Sequence, residues 1–310
     1  MANVKNYGVS VRDKLKNLIG EGTTYQQILI RYMHERLLYR LSESRYRDNF
    51  YLKGGALLFA YERFAARPTI DIDFLGERVS RDKDNIKRTF TEILSIPFAE
   101  DGVTFDTSEG SITVEDIILE REYNGVKVRF TGHLDTIVQN LSMDIGFGDI
   151  IIPHPVELEY APLIEDMSEF TINAYSLETV VAEKFQTMIA RSVTNSRMKD
   201  FYDVYTILQG GKLDKEVLAI AIKDIFENRG TRYEDNHPLF SESFKNSPDK
   251  MTQWSAFLRK TKIKNGPSFA TVMDLIGKEL KPYWDGLPAS RSQAPIGATL
   301  GRQTGWFLHL

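Results

Sequence analysis

Two features of the chain have the residue types and spacing for chemistry on a phosphate. Asp71 and Asp73, in Thr69-Ile70-Asp71-Ile72-Asp73-Phe74, stand two apart in an apolar run. Alternate side chains of a strand share a face, so both carboxylates are expected to point one way while Ile70, Ile72 and Phe74 enter a core. Two carboxylates on one exposed face form a ligand pair for Mg²⁺, which takes oxygen ligands and bridges to substrate phosphates. Upstream, with fifteen residues intervening before Asp71, lie Gly54 and Gly55, where Tyr51-Leu52-Lys53 gives way to the apolar run 56–60. Two glycines at a strand-to-helix turn let backbone amides approach a phosphate, and the start of the helix adds partial positive charge. A phosphate cradle followed by a metal platform points to chemistry on a nucleotide.

The elements that must hold these groups follow from periodicity. Residues 9–45 read as two helices; Thr23 or Thr24 caps the second, and Ile28, Leu29, Tyr32, Leu37, Leu38 and Leu41 recur at helical spacing. Arg31, Arg36, Arg40, Arg45 and Arg47 give that helix a basic side, expected to be solvated or to contact RNA. A helix is predicted from about Asp82 to Ser95, with Ile86, Phe90, Ile93 and Leu94 as its buried stripe. Alternating stretches follow at 103–107, 112–120, 126–134 and 137–145, and Asn124-Gly125 marks a hairpin. Pro153, Pro155 and Pro162 suggest the end of the sheet, and helices begin after Ser176. The predicted class is α+β: N-terminal helices (1–48), a mixed-sheet domain (49–162), a helical domain (163–288) and a tail (289–310), disordered or foreign to the native chain.

Within the helical part, Lys184 and Arg191 lie seven apart and share one side of a helix, held down by Val181, Phe185, Met188 and Ile189. Asp200 and Asp203 share a face of the next helix. Asp144, between Met143 and Ile145, turns outward in its strand with Ser142; Asp135 and Asp149 lie in turn-like settings. Lys245 to Lys264 form a basic segment in which Trp254 and Phe257 either stack on bases or serve the core.

Composition sets the outer limits. The 310 residues suit two packed lobes, 42% are hydrophobic and 26% charged, and the net charge of −4 gives no global attraction to nucleic acid. Cysteine is absent, which excludes disulfides and thiolate metal sites. No apolar run reaches membrane-spanning length, and the first residues have no signal-peptide core, so the expected location is the cytoplasm.

The double glycine followed by Asp-x-Asp resembles the core signature of the polymerase-β-like nucleotidyltransferase superfamily. Lys53-Gly54-Gly55, Arg67-x-Thr69-x-Asp71-Ile72-Asp73, then Glu183-Lys184, Arg191 and Lys199-Asp200-Phe201-Tyr202-Asp203 are similar, in order, to the AbiEii/AbiGii toxin family. That resemblance implies a Mg²⁺-dependent (or Mn²⁺-dependent) transfer of NMP from an NTP to an acceptor such as the 3′ end of tRNA. It implies catalytic roles for Asp71, Asp73, Lys184 and Asp200, and metal binding by Asp71, Asp73 and a third carboxylate on a later strand, Asp144, with Asp135 and Asp149 as rivals. Nucleotide contacts would come from Lys53, Gly54, Gly55, Arg67, Thr69, Lys184, Arg191 and Asp203. It further implies a cognate antitoxin, often a winged-helix protein. Competing readings are a phosphotransferase or self-modifying enzyme on the same fold, a sugar-nucleotide transferase, and a non-catalytic nucleotide-binding module. Gly55 stands where many polymerase-β-like enzymes carry serine, which bears on the substrate.

Overall fold

In the computed structural model the described residues are 6–20, 23–62, 67, 69–120 and 123–288. The expected tail, 289–310, lies outside them. The chain is α+β: among the described residues, eight strands form one mixed sheet and ten α-helices surround it. The strands are β1 (Phe50–Lys53), β2 (Ile72–Gly76), β3 (Val103–Phe105), β4 (Thr113–Glu120), β5 (Tyr123–Leu134), β6 (Ile137–Phe147), β7 (Val156–Tyr160) and β8 (Phe170–Ala174). Their order is β3-β5-β6-β2-β1-β8-β7, with β4 also paired to β5. β2 runs antiparallel to β1 and parallel to β6, while β1 runs parallel to β8. The sheet thus continues to Ala174, past the prolines that suggested its end. Asn124 and Gly125 do not make the hairpin turn; they pair inside β5 with Ile118 and Ile117, and the β4–β5 pairing runs on to Glu120 and Tyr123.

Two helices precede the sheet, α1 (Tyr7–Asn17) and α2 (Tyr25–Ser42). Thr24 caps α2 in a reciprocal box with Gln27, satisfying two end amides at once. All six apolar positions expected in its stripe are buried. The basic side is not solvated as expected: Arg31, Arg36 and Arg40 are 5%, 0% and 2% exposed. Arg40 spends its donors on Asp101 and on the carbonyls of Arg36, Ile96 and Val103, while Arg36 pairs with Glu35. Pairing with an opposite charge is what allows such groups inside; Nε and Nη1 of Arg36 have no hydrogen-bond partner among the described residues, and its guanidinium lies over the rings of Tyr32, Tyr39 and Phe170. Arg45 and Arg47 do lie outward, paired with Glu92 and Glu157.

Glycines link β1 to α3 (Gly54–Glu62), and α4 (Lys83–Leu94) follows β2 with its predicted stripe buried. After β8 come α5 (Leu177–Arg191), capped by Ser176, and α6 (Met198–Gly210). α7 (Lys215–Asn228), α8 (Glu242–Lys245), α9 (Pro248–Thr261) and α10 (Phe269–Asp285) complete the helical part. Trp254 on α9 is a core residue: it is 3% exposed, its indole donates to the Pro267 carbonyl, and it packs against Phe269 and Tyr202. No helix among the described residues is long and apolar enough to cross a membrane.

Candidate active site

Strand register builds the floor of the site. Lys53 of β1 pairs with Asp73 of β2, Asp73 with Asp144 of β6, and Asp144 with Lys127 of β5. Residues in register across a sheet point to the same side. Four adjacent strands therefore present a row of cation, carboxylate, carboxylate, cation on one face. The alternate residues, Leu52, Ile72, Phe74, Met143, Ile145, Val126 and Val128, are buried on the other. Asp71 precedes β2 and is exposed, so the pair shares a cleft without sharing a strand. Ile70, expected in the core, is 63% exposed because the strand starts only at Ile72.

The double glycine has a steric reason. Gly54 has φ +68°, in the left-handed region, and a Cβ there would fall 2.1 Å from Oδ2 of Asp73. A Cβ on Gly55 would sit 2.9 Å from the Thr69 side chain. The turn thus lets the Asp73 carboxylate and Thr69 lie directly over the start of α3. Thr69 in turn accepts from the Asp71 backbone N–H.

Helices α5 and α6 supply the opposite wall. Lys184 is held between Asp200 and Asp203 at 2.8 and 2.9 Å, and Arg67 donates to both oxygens of Asp203 at 2.7 and 3.0 Å. Arg197 donates to the other oxygen of Asp200. Burial disfavours the Lys184 ammonium, yet Asp200 and Asp203 outweigh it and raise its pKa. Burial likewise opposes the Asp200 carboxylate, but Lys184 and Arg197 hold its pKa far below the usual range. Asp203 is 1% exposed at its side chain and acts on Arg67 and Lys184 rather than facing the cleft.

A second network lies beneath Lys53. Its ammonium contacts Asp149 at 2.8 Å and Glu183 at 3.6 Å, and Arg229 contacts the same two carboxylates at 2.9 and 3.3 Å. Burial works against the Lys53 charge, and Glu183, Tyr175 and Asp149 overcome it, raising its pKa well above normal. Burial raises the Glu183 pKa, whereas Asp149, though also buried, is lowered by Lys53 and Arg229.

One cleft gathers Lys53, Gly54, Gly55, Arg67, Thr69, Asp71, Asp73, Asp144, Lys184 and Asp200 from the expected set. Arg191 is not among its walls; it is exposed at the last turn of α5, one helical turn too far along. Of the rivals to Asp144, Asp135 pairs with Arg12 elsewhere, while Asp149 lines the cleft beneath Lys53. Sequence reasoning gave no role to Lys127, Tyr175, Glu183, Arg197 or Arg229. Glu183 sits within a quoted motif, but Lys127 and Arg229 join only through register and tertiary packing.

Six basic residues (Lys53, Arg67, Lys184, Arg197, Lys199, Arg229) and six acidic ones (Asp71, Asp73, Asp144, Asp149, Glu183, Asp200) line the cleft, so its formal charge is balanced. The imbalance is local. Asp144 is paired with Lys127 at 2.5 Å, but the Asp73 carboxylate makes no hydrogen bond or ion pair among the described residues. Burial raises its pKa, and Asp144 and Asp71 add to the rise. An incompletely neutralised carboxylate beside two others suits a divalent cation that takes its remaining ligands from phosphate and water. Among the described residues no three acidic, histidine or cysteine side chains are grouped closely enough to form a metal cage by themselves.

Comparison with curated proteins gives no match. Among solved structures, the chain is similar to JHP933 from Helicobacter pylori, with TM-score 0.49 and 12% identity, covering 85% of this chain and 94% of that one. It is also similar to a candidate nucleotidyltransferase from H. pylori, with TM-score 0.46 and 15% identity, covering 86% and 97%. Those likenesses are too distant to carry anything to this chain. Residues 36–275, which include every residue lining the cleft, match the family model described as nucleotidyl transferase AbiEii toxin, type IV TA system. The chain belongs to the AbiEii nucleotidyl transferase toxin family of type IV toxin–antitoxin systems.

Proposed function

We propose that the cleft binds a nucleoside triphosphate with Mg²⁺ (or Mn²⁺) and transfers its nucleoside monophosphate to the 3′ end of a tRNA in the cytoplasm, blocking translation. The observation that carries this reading is the meeting of three distant segments, 53–73, 144 and 184–200, around the one desolvated carboxylate, Asp73, that lacks a partner among the described residues. Asp71, Asp73 and Asp144 would hold the cation, which offsets phosphate charge and lowers the pKa of the acceptor hydroxyl. The protein's own part is positioning and charge. Gly54 and Gly55 leave room for phosphate oxygens at the start of α3, with Thr69 beside them. Lys184 and Arg67, with Lys53 on the other side, face the triphosphate from positions fixed by Asp200, Asp203, Asp149 and Glu183. The acceptor oxygen bonds to the α-phosphorus, the bond from that phosphorus to the bridging oxygen breaks, and pyrophosphate leaves. Asp144 takes up the hydroxyl proton or completes the cation's ligand set. A type IV system pairs the toxin with an antitoxin, and we assign that partner to the winged-helix class.

Incubation of the purified protein with each of four α-labelled triphosphates, Mg²⁺ and total RNA tests this. Label on a tRNA-sized band, abolished by EDTA, is the expected result. Label on the protein itself overturns the RNA acceptor, and transfer from a γ-labelled triphosphate overturns nucleotidyl transfer.

A further inference from the structure

The sheet face that carries Asp73, Asp144 and Lys127 continues beyond the cleft. On β6, Ser142 and Asn140 lie two and four residues before Asp144 and point to its side; on β5, Arg129 and Thr131 stand opposite them. At the rise of a strand, Ser142 is about 7 Å and Asn140 about 13 Å along from Asp144. With Ile70 and Asp71 these residues line a second concavity of about 460 Å³, and Asp71 belongs to both hollows. We propose that this groove seats the single-stranded 3′ end of a polynucleotide acceptor, delivering its terminal hydroxyl at Asp71. The proposal rests on the transfer reading above.

The groove lies on the face of the sheet, where the backbones of β5 and β6 are already paired with each other along 126–134 and 137–145. Side chains of both strands line it. Thr131, Asn140 and Ser142 offer neutral donors and acceptors, the chemistry that meets ribose hydroxyls and base edges. Arg129 is 53% exposed, and its ion pair is with exposed Glu115 at 3.4 Å, a weak hold that a phosphate can displace. Ile70, 63% exposed and adjacent to Asp71, gives a terminal base an apolar ledge at the junction of the two hollows.

The test uses the full chain and a fluorescein-labelled single-stranded RNA hexanucleotide with a free 3′ hydroxyl, followed by anisotropy. Binding of a non-hydrolysable triphosphate with Mg²⁺ is measured separately on the same samples. Arg129→Gln, Asn140→Ala and Ile70→Asp are each expected to weaken RNA binding about tenfold, Arg129→Gln also reducing the salt slope by about one unit. Triphosphate affinity should stay within about twofold, and melting curves should match wild type, since these side chains are on the surface. Unchanged RNA binding in all three variants overturns the groove while leaving nucleotide transfer intact. So does a wild-type protein that binds no RNA but labels a protein hydroxyl. Conversely, a wild-type protein that binds no triphosphate, with RNA binding still lost in the variants, upholds the groove and overturns the transfer reading.

Discussion

Two buried ionic networks, one beneath α2 and one around the cleft, use the same side chains to opposite ends. Under α2, Arg40 places its guanidinium donors on Asp101 and three backbone carbonyls, and the Glu35 carboxylate pairs with Arg36 and accepts from the Leu163 N–H. Both pairs are sealed, each side chain at 2% exposure or less. In the cleft, Lys184, Lys53 and Arg229 remain 11–18% exposed at their side chains, each shared between two carboxylates, and Asp73 has no partner among the described residues. The sealed network pairs each charge with an opposite one away from water and ties 96–103 to α2 through Arg40, although Nε and Nη1 of Arg36 have no hydrogen-bond partner among the described residues. The cleft network leaves charge unspent toward an opening, which is what a ligand can use.

Removing Asp73 gives the largest predicted effect and the sharpest separation. Asp73→Asn keeps the shape over Gly54 but discards the charge, so transfer should fall by at least about 10⁴-fold, ~5 kcal/mol. Because the native carboxylate is desolvated and unpaired, urea unfolding should show equal or greater stability. A loss of activity that merely follows a loss of folded protein would break the comparison.

The sealed network should behave the other way. Arg40→Met strands the Asp101 carboxylate inside, at a cost of about 3–5 kcal/mol in unfolding free energy, with transfer per folded molecule unchanged. Adding Asp101→Leu should recover most of the loss, since an apolar pair of similar volume replaces a buried ion pair at little cost. If the double variant is no more stable than the single one, the pair is not acting as a closed unit.

The two networks also differed in how far the sequence disclosed them. Asp73, Asp144, Asp200 and Lys184 were legible because each sits in a local pattern: alternation around Asp73 and Asp144, helical spacing of Lys184 with its buried neighbours, and of Asp200 with Asp203. Arg40 was misread as part of a solvated face because its partner Asp101 is 61 residues away and no local rule connects them; Arg36 pairs with its neighbour Glu35, but the burial of both comes from what packs over α2. Lys127 and Arg229 were missed for the same reason: one needs the β5–β6 register, the other the packing of α7 beside α5. Alternation also failed at Ile70, where the strand had not yet begun. Local periodicity reports which face a residue takes; it does not report what lies across from that face.

Next in size comes a pH effect on the sealed side. Burial alone lowers the His34 pKa to about 4, so the imidazole is neutral in the folded protein where the unfolded chain already binds a proton. The unfolded state gains that proton as pH falls through 6.5, and the folded state only near 4. Stability is therefore full above about pH 6.5 and declines toward pH 4, by up to about 3 kcal/mol. His34→Gln isolates this contribution: the difference in unfolding free energy between the two proteins should change with pH only across that window. A flat difference would mean that His34 is not shielded from water.

The smallest prediction tests the boundary of the cleft itself. Arg191 belongs to the motif by sequence and lies seven residues from Lys184, yet it is exposed and outside the walls that hold Lys184. Lys53, Lys184 and Arg229 are each held by two carboxylates; Arg191 sits on the last turn of α5, where its charge favours the helix end by about 0.3–1 kcal/mol at most. Arg191→Ala should therefore leave triphosphate affinity within about twofold and stability within about 0.5 kcal/mol. Lys184→Ala, measured beside it, should weaken triphosphate binding by about tenfold or more, since a buried charge facing phosphate is lost. Equal losses in the two variants would show that α5 shifts to bring Arg191 onto the substrate, and the line drawn between structural and functional charge would then have to move by one helical turn.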